Sequence, residues 1–170
     1  GIRDDLVTGV QTCALPILSA DHAEYYKKQG HPHSLYVQNV WPAAPGALEC
    51  QHVTLKPGEK LKILGSLGRP AATGNTYGLL YIGKELLPRL DEKLGQENYE
   101  LHIYGKGDPF PLVQEILSHP SVHLRGFVED IDGEICSCHV FLVANSAERY
   151  KGSHTRFLHA WSLKACCVGH

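Results

Sequence analysis

From Leu61 the chain reads LKILGSLG (61–68), and the same arrangement returns as YELHIYGKG (99–107), VHLRGFV (122–128), HVFLVAN (139–145) and ACCVGH (165–170). Each segment is a short apolar run, most of them ending at a glycine, and stretches of helical spacing lie between them. Short apolar strands alternating with helical patterns specify parallel βαβ units. Residues 61–170 are therefore expected to form an α/β, Rossmann-like, doubly wound parallel sheet. With strand order 3-2-1-4-5, strands one and four flank the point where the order reverses, and ligands bind there, beyond the carboxyl ends of the strands.

The expected boundaries follow from the punctuation. Strand one is Leu61–Leu64, with a turn at Gly65–Gly68 and a loop at Arg69–Gly74. Asn75 is the expected N-cap of a helix reaching about Leu94, with Tyr77, Leu80, Tyr81, Lys84 and Leu87 on one face and Pro88 as a kink. Strand two is Tyr99–Tyr104, and a helix follows at Pro109–Leu117. Strand three is Val122–Leu124, with a short helix at Asp130–Cys136. Strand four, Val140–Ala144, is apolar throughout, as suits burial on both faces. A helix at Thr155–Lys164, with Trp161 in the core, leads to strand five at Cys166–Val168.

Upstream, Ala20–Gly30 reads as a helix closed by Gly30, Ser34–Val40 as a short strand and Trp41–Gly46 as a Pro/Gly loop. Val7–Ile17, VTGVQTCALPI, resembles the conceptual translation of a sequencing-adapter oligonucleotide. Residues 1–17 are accordingly set aside as a non-native segment. A signal-peptide origin fits less well, because Asp4 and Asp5 stand where a basic region belongs. The chain starts at Gly1 and contains no Met, and its last strand ends it, so it reads as a piece of a longer protein.

Net charge is −2, which gives no basic footprint for nucleic acid. No apolar run approaches the ~20 residues of a transmembrane helix. Outside the adapter-like segment the cysteines are Cys50, Cys136, Cys138, Cys166 and Cys167. Most lie in apolar patterns, where Cys acts as a small buried hydrophobe. A reduced, cytoplasmic protein is the expectation. Cys136, Cys138 and His139 lack a second ligand pair at zinc spacing, and no metal is assigned. His102 and His123 alternate with apolar residues and read as strand residues facing a helix layer or an edge.

The loops after strands one and four each lead into a helix, whose N-terminus offers free N–H groups and partial positive charge suited to phosphate. The first loop carries Gly65, Gly68 and Arg69. The second carries Arg149, Lys151, Gly152, Ser153, His154 and Arg156. Glycines admit a ligand to the backbone, and the cations balance a diphosphate. By topology alone the reading of these residues as tight turns and a solvated face is slightly favoured, because many unrelated functions share this sheet.

The segments GSLGRPAATGNTYGLLYIGKELLPRL, YELHIYGKG, VHLRGFVEDI and KGSHTRFLHAWSLKACCV together resemble the C-terminal, donor-binding domain of retaining GT-B glycosyltransferases, within the glycosyl transferases group 1 family. The resemblance covers 61–170, and 18–60 resembles the family's inter-domain crossing segment. It implies half of a GT-B architecture that binds a nucleotide-diphosphate sugar without a cofactor or obligatory metal. The acceptor domain would lie N-terminal to this one. Gly65, Ser66, Arg69, Gly152, Ser153, His154 and Arg156 would meet the donor phosphates. Phe127 and Val128 would sit near the nucleobase, and His159 would reach the ribose.

Catalysis would break the bond between the anomeric carbon and the diphosphate, with cations and N–H dipoles stabilising charge on the leaving phosphate. No catalytic base or nucleophile is identified, so the piece alone is expected to be inactive. The chain departs from the family where a pair of glutamates usually stands: Lys151 and His159 occupy those positions. Lys164 also replaces the usual glycine before the last strand. A non-catalytic Rossmann-like binding or assembly module is the alternative. A flavodoxin-like or dinucleotide-binding domain fits less well, because no GxGxxG follows strand one.

Overall fold

The computed structural model describes residues 16–17, 20–36, 50, 53–144 and 155–169. The chain divides into two units, one over residues 1–40 and 151–153, the other over 41–150 and 154–170. In the first, α1 (Ala20–Lys28) accompanies two short strands, β1 (Pro16–Ile17) and β2 (Leu35–Tyr36), which pair in parallel. Gly30 follows α1 with φ +92°, as its C-terminal placement predicts. Pro16 and Ile17 belong to the adapter-like segment set aside above, yet the structure gives them a strand partner. The expected strand at 34–40 is reduced to Leu35–Tyr36, with 37–40 outside the described residues.

The second unit is a five-stranded, all-parallel sheet in the order β5-β4-β3-β6-β7. Its strands are β3 (Leu61–Leu67), β4 (Tyr99–Tyr104), β5 (Val122–Gly126), β6 (Val140–Val143) and β7 (Cys167–Gly169). Counted from β3, that is 3-2-1-4-5. The period-2 pattern of the strands builds a core on each face. Ile63, Tyr99, Leu101, Ile103, Leu142 and Ala144 point to one cluster with Leu79, Ile82 and Leu87. Leu64, Tyr104, Phe141 and Val143 point to the other, with Ile135, Ala160 and Leu163.

The first face is covered by α2 (Thr73–Tyr81), α3 (Leu87–Leu94) and α4 (Gln114–Leu117), the second by α5 (Ile131–Cys136) and α6 (Thr155–Ser162). α2 runs into α3 through a π-helical turn, Ile82–Leu86, in which the Leu87 N–H bonds the Ile82 carbonyl. Pro88 has no N–H to offer Lys84, and widening the preceding turn accommodates that gap. The expected kink is thus a π-bulge.

Four expectations need correction. Strand one does not end at Leu64. β3 continues to Leu67 through a bulge, where Leu64 pairs with His102 and Ser66 with Ile103, leaving Gly65 over. The helix after it starts at Thr73, with Ala72 at the N-cap and no side-chain cap; Asn75 is inside the first turn and buried. Trp161 is 60% exposed, with its ring 5.4 Å from that of Phe157 and tilted 33° to it, while Ala160 and Leu163 fill the core. Cys50 and Cys136 are not buried thiols but a disulfide that fastens the segment before β3 to α5. The Cys136 sulfur is thereby committed, so no Cys136–Cys138–His139 metal corner exists.

Candidate functional site

The carboxyl ends of β3, β4 and β5 are laced together by backbone. Gly68 N–H donates to the Tyr104 carbonyl (3.0 Å) and Gly105 N–H to the Gly126 carbonyl (2.8 Å). A Cβ at Gly105 would overlap the Gly68 carbonyl oxygen, so the two strand-end loops come this close only with glycine at 105. Above this seam is a cleft of about 310 Å³ lined by Gly68, Arg69, Tyr104, Gly105, Lys106, Gly126, Phe127, Val128 and Ile131. One wall, Phe127, is 71% exposed. Arg69, which also lines the cleft, is exposed. An aromatic ring, an apolar floor and two cations in one opening suit a planar heterocycle linked to an anion.

The switch point lies between β3 and β6, which pair through Ile63–Val140 and Leu64–Phe141. There the loop after β3 and the start of α6 meet at one residue. Asn75 Nδ2 donates to the Arg69 carbonyl (2.8 Å), and Arg156 Nη1 donates to Asn75 Oδ1 (2.8 Å). Each half of a buried amide is used, so neither oxygen nor nitrogen is left unsatisfied. On the same side α2 lies against the end of β6, because a Cβ at Gly78 would overlap the Ala144 carbonyl oxygen. Two helix N-termini, those of α2 and α6, are thus drawn to one edge of the sheet.

Of the residues the sequence singled out, the structure brings Arg69, Phe127 and Val128 together in the cleft. Arg156 joins them through Asn75. Gly65 is a buried bulge residue against the Leu101 side chain, and Ser66 is a paired strand residue. His159 lies on α6 with Nε2 2.7 Å from Asp132 Oδ1 of α5, and it is absent from the cleft lining. Gly152, Ser153 and His154 lie outside the described residues. Sequence reasoning missed Asn75 as a tie, and Tyr104, Gly105, Lys106 and Gly126 as lining. The glycine ending each strand was the available signal.

A polar cluster supports the cleft floor. Tyr104 Oη donates to Glu134 Oε2 on α5, and Lys62 Nζ reaches Glu134 Oε2 (3.5 Å) and Ser137 Oγ (2.7 Å). The hydrogen bond from Tyr104, aided by Lys62, holds the Glu134 carboxyl below the usual range despite its burial. Burial and the same carboxylate push the Tyr104 phenol up, so its proton stays in place at ordinary pH.

The five-stranded parallel sheet with helices on both faces is a Rossmann-like α/β fold. Residues 61–170, more than half of the chain, match the family described as Glycosyl transferases group 1, and the chain belongs to that family. Among solved structures it is similar to TarM, with a TM-score of 0.63 at 13% identity, over 92% of this chain and 29% of that one. At that identity the likeness speaks for the fold, and the chain spans under a third of TarM's length. Comparison with curated proteins finds no match. Among the described residues no helix is long and apolar enough to cross a membrane.

Proposed function

We propose that this chain carries the donor-binding half of a retaining GT-B glycosyltransferase that takes its sugar from a nucleotide diphosphate. The reading rests on one observation above all: Asn75 ties the loop after β3 to the start of α6. An anionic donor lying along that edge meets Arg69, Arg156 and two helix N-termini at once. The nucleobase lies against Phe127 and Val128 in the cleft, and the diphosphate runs toward the β3–β6 switch point. Charge that builds on the leaving diphosphate is stabilised by these fixed dipoles and cations. A separate acceptor domain supplies the acceptor and any acid–base group, so sugar transfer requires the parent protein.

His159, where the family usually has a glutamate, is held by Asp132. That contact favours a second reading, a binding module without catalysis in which the ribose contact has been given over to joining α5 and α6. A thermal-shift screen with UDP, GDP and their sugars separates the two. Stabilisation by one nucleotide series supports donor binding. A flat response to all of them refutes it.

A further inference from the structure

On the second face of the sheet, away from the cleft edge, Glu100 and His102 of β4 and His123 of β5 form a cluster. His102 and His123 are register partners on adjacent parallel strands, and Glu100 is two residues before His102 on the same face. Their ligand atoms all lie within 4.8 Å of one another. Glu100 and His123 are half-buried and His102 is buried.

The tautomer of His102 decides what this cluster can hold. Tyr104 Oη commits its proton to Glu134, so the Tyr104 oxygen faces His102 Nδ1, at 3.3 Å, as an acceptor. That contact places the His102 proton on Nδ1. Arg125 Nη2 lies 3.2 Å from His102 Nε2, and a guanidinium only donates, so Nε2 presents a lone pair. Glu100 Oε2 stands 3.2 Å from that Nε2. Two acceptors face each other with no proton between them, and such a pair needs a cation.

In the structure Arg125 Nη2 partly fills that need at 3.2 Å from His102 Nε2, and Lys60 Nζ lies 3.9 Å from Glu100 Oε1. Arg125 and Lys60 are both exposed, so either can swing into solvent. The His123 ring meets His102 edge-on at 5.5 Å and adds a second nitrogen, the third ligand of the set.

We propose that Glu100, His102 and His123 form a binding site for a first-row divalent metal ion of the zinc type. Two imidazoles and one carboxylate are a ligand set such ions favour. The His102 Nδ1–Tyr104–Glu134 chain is the outer support that fixes a ligating ring. Arg125 and the ion would compete for the same His102 Nε2 lone pair. None of the three ligands lines the proposed donor cleft, although Tyr104 borders both.

Titrating the full 170-residue chain with Zn²⁺ against a chromophoric chelator tests this. The expected result is one tight ion per chain, with affinity falling at least about tenfold in His123→Ala and in Glu100→Gln. Arg125→Ala should bind more tightly than the parent. Circular dichroism melts of each variant report whether the fold persists. None of the three substitutions removes a fully buried side chain. Co²⁺ should give the visible absorption of a low-coordinate nitrogen–oxygen site in the parent, and lose it in His123→Ala. No stoichiometric ion in the parent, or equal affinity in parent, His123→Ala and Glu100→Gln, overturns the proposal.

Discussion

Removing Asn75 should cost far more than an exposed asparagine would. Asn75→Ala deletes a neutral hydrogen bond to the Arg69 carbonyl and a charged one from Arg156. A neutral bond contributes about 1 kcal/mol and a charge-assisted one about 1.5–3 kcal/mol, so the loss should be about 2–4 kcal/mol. For a domain of this size that corresponds to a fall in Tm of roughly 8–15 °C. The sharper test is a double-mutant cycle with Arg156→Ala, read from urea melts at constant slope. Because the two residues share one bond, their losses should fall short of additivity by about 1–2 kcal/mol. The cycle isolates that bond from the other contacts of each residue. Additivity within about 0.5 kcal/mol would refute the reasoning that the two loops are joined here.

Gly78→Ala tests the seat of α2 on β6. In an open helix the change stabilises by about 1 kcal/mol, but here the new methyl meets the Ala144 carbonyl oxygen. A net loss of about 1–3 kcal/mol in a urea melt is expected. Reducing the Cys50–Cys136 bond opens an 86-residue separation, and its loop entropy amounts to as much as about 4–5 kcal/mol. A lower Tm in reductant, with a Cys50–Cys136 linked peptide in a non-reduced digest, is the expected pair of results. The Glu134 carboxyl is held below its ordinary pKa of 4.5 in the folded state. Its stabilisation is therefore complete above that value and fades as pH falls through the folded pKa. Tyr104→Phe removes the largest cause, so acid unfolding of that variant should show a smaller share of this loss in the same range.

The strand ladder was legible because alternation and strand-end glycines are local signals. Details that depend on distant partners were not. The Gly65 bulge exists only in the register of β3 against β4. Asn75 has the composition of a cap, but its partners are the Arg69 backbone and Arg156, the latter 81 residues away, and no local pattern announces them. Helical spacing places Trp161 beside Phe157 without saying which side meets the sheet. Cysteine spacing leaves many pairings open, so the Cys50–Cys136 bond was invisible. In the candidate site, Phe127, Val128 and Arg69 were readable from the family-like segments. Lys106 and Gly105 were quoted there without a role, because the cleft that joins them spans three strand ends.

Isothermal titration of UDP and GDP into the full chain, alongside Arg69→Ala and Phe127→Ala, measures most directly whether the cleft holds a nucleotide. Both side chains are exposed, so the substitutions should leave the fold intact. The account predicts one nucleotide per chain, with affinity reduced at least about fivefold in each variant, as loss of a phosphate cation or a stacking ring of about 1–3 kcal/mol requires. Absence of binding by the parent chain, or equal binding by parent and both variants, would contradict it.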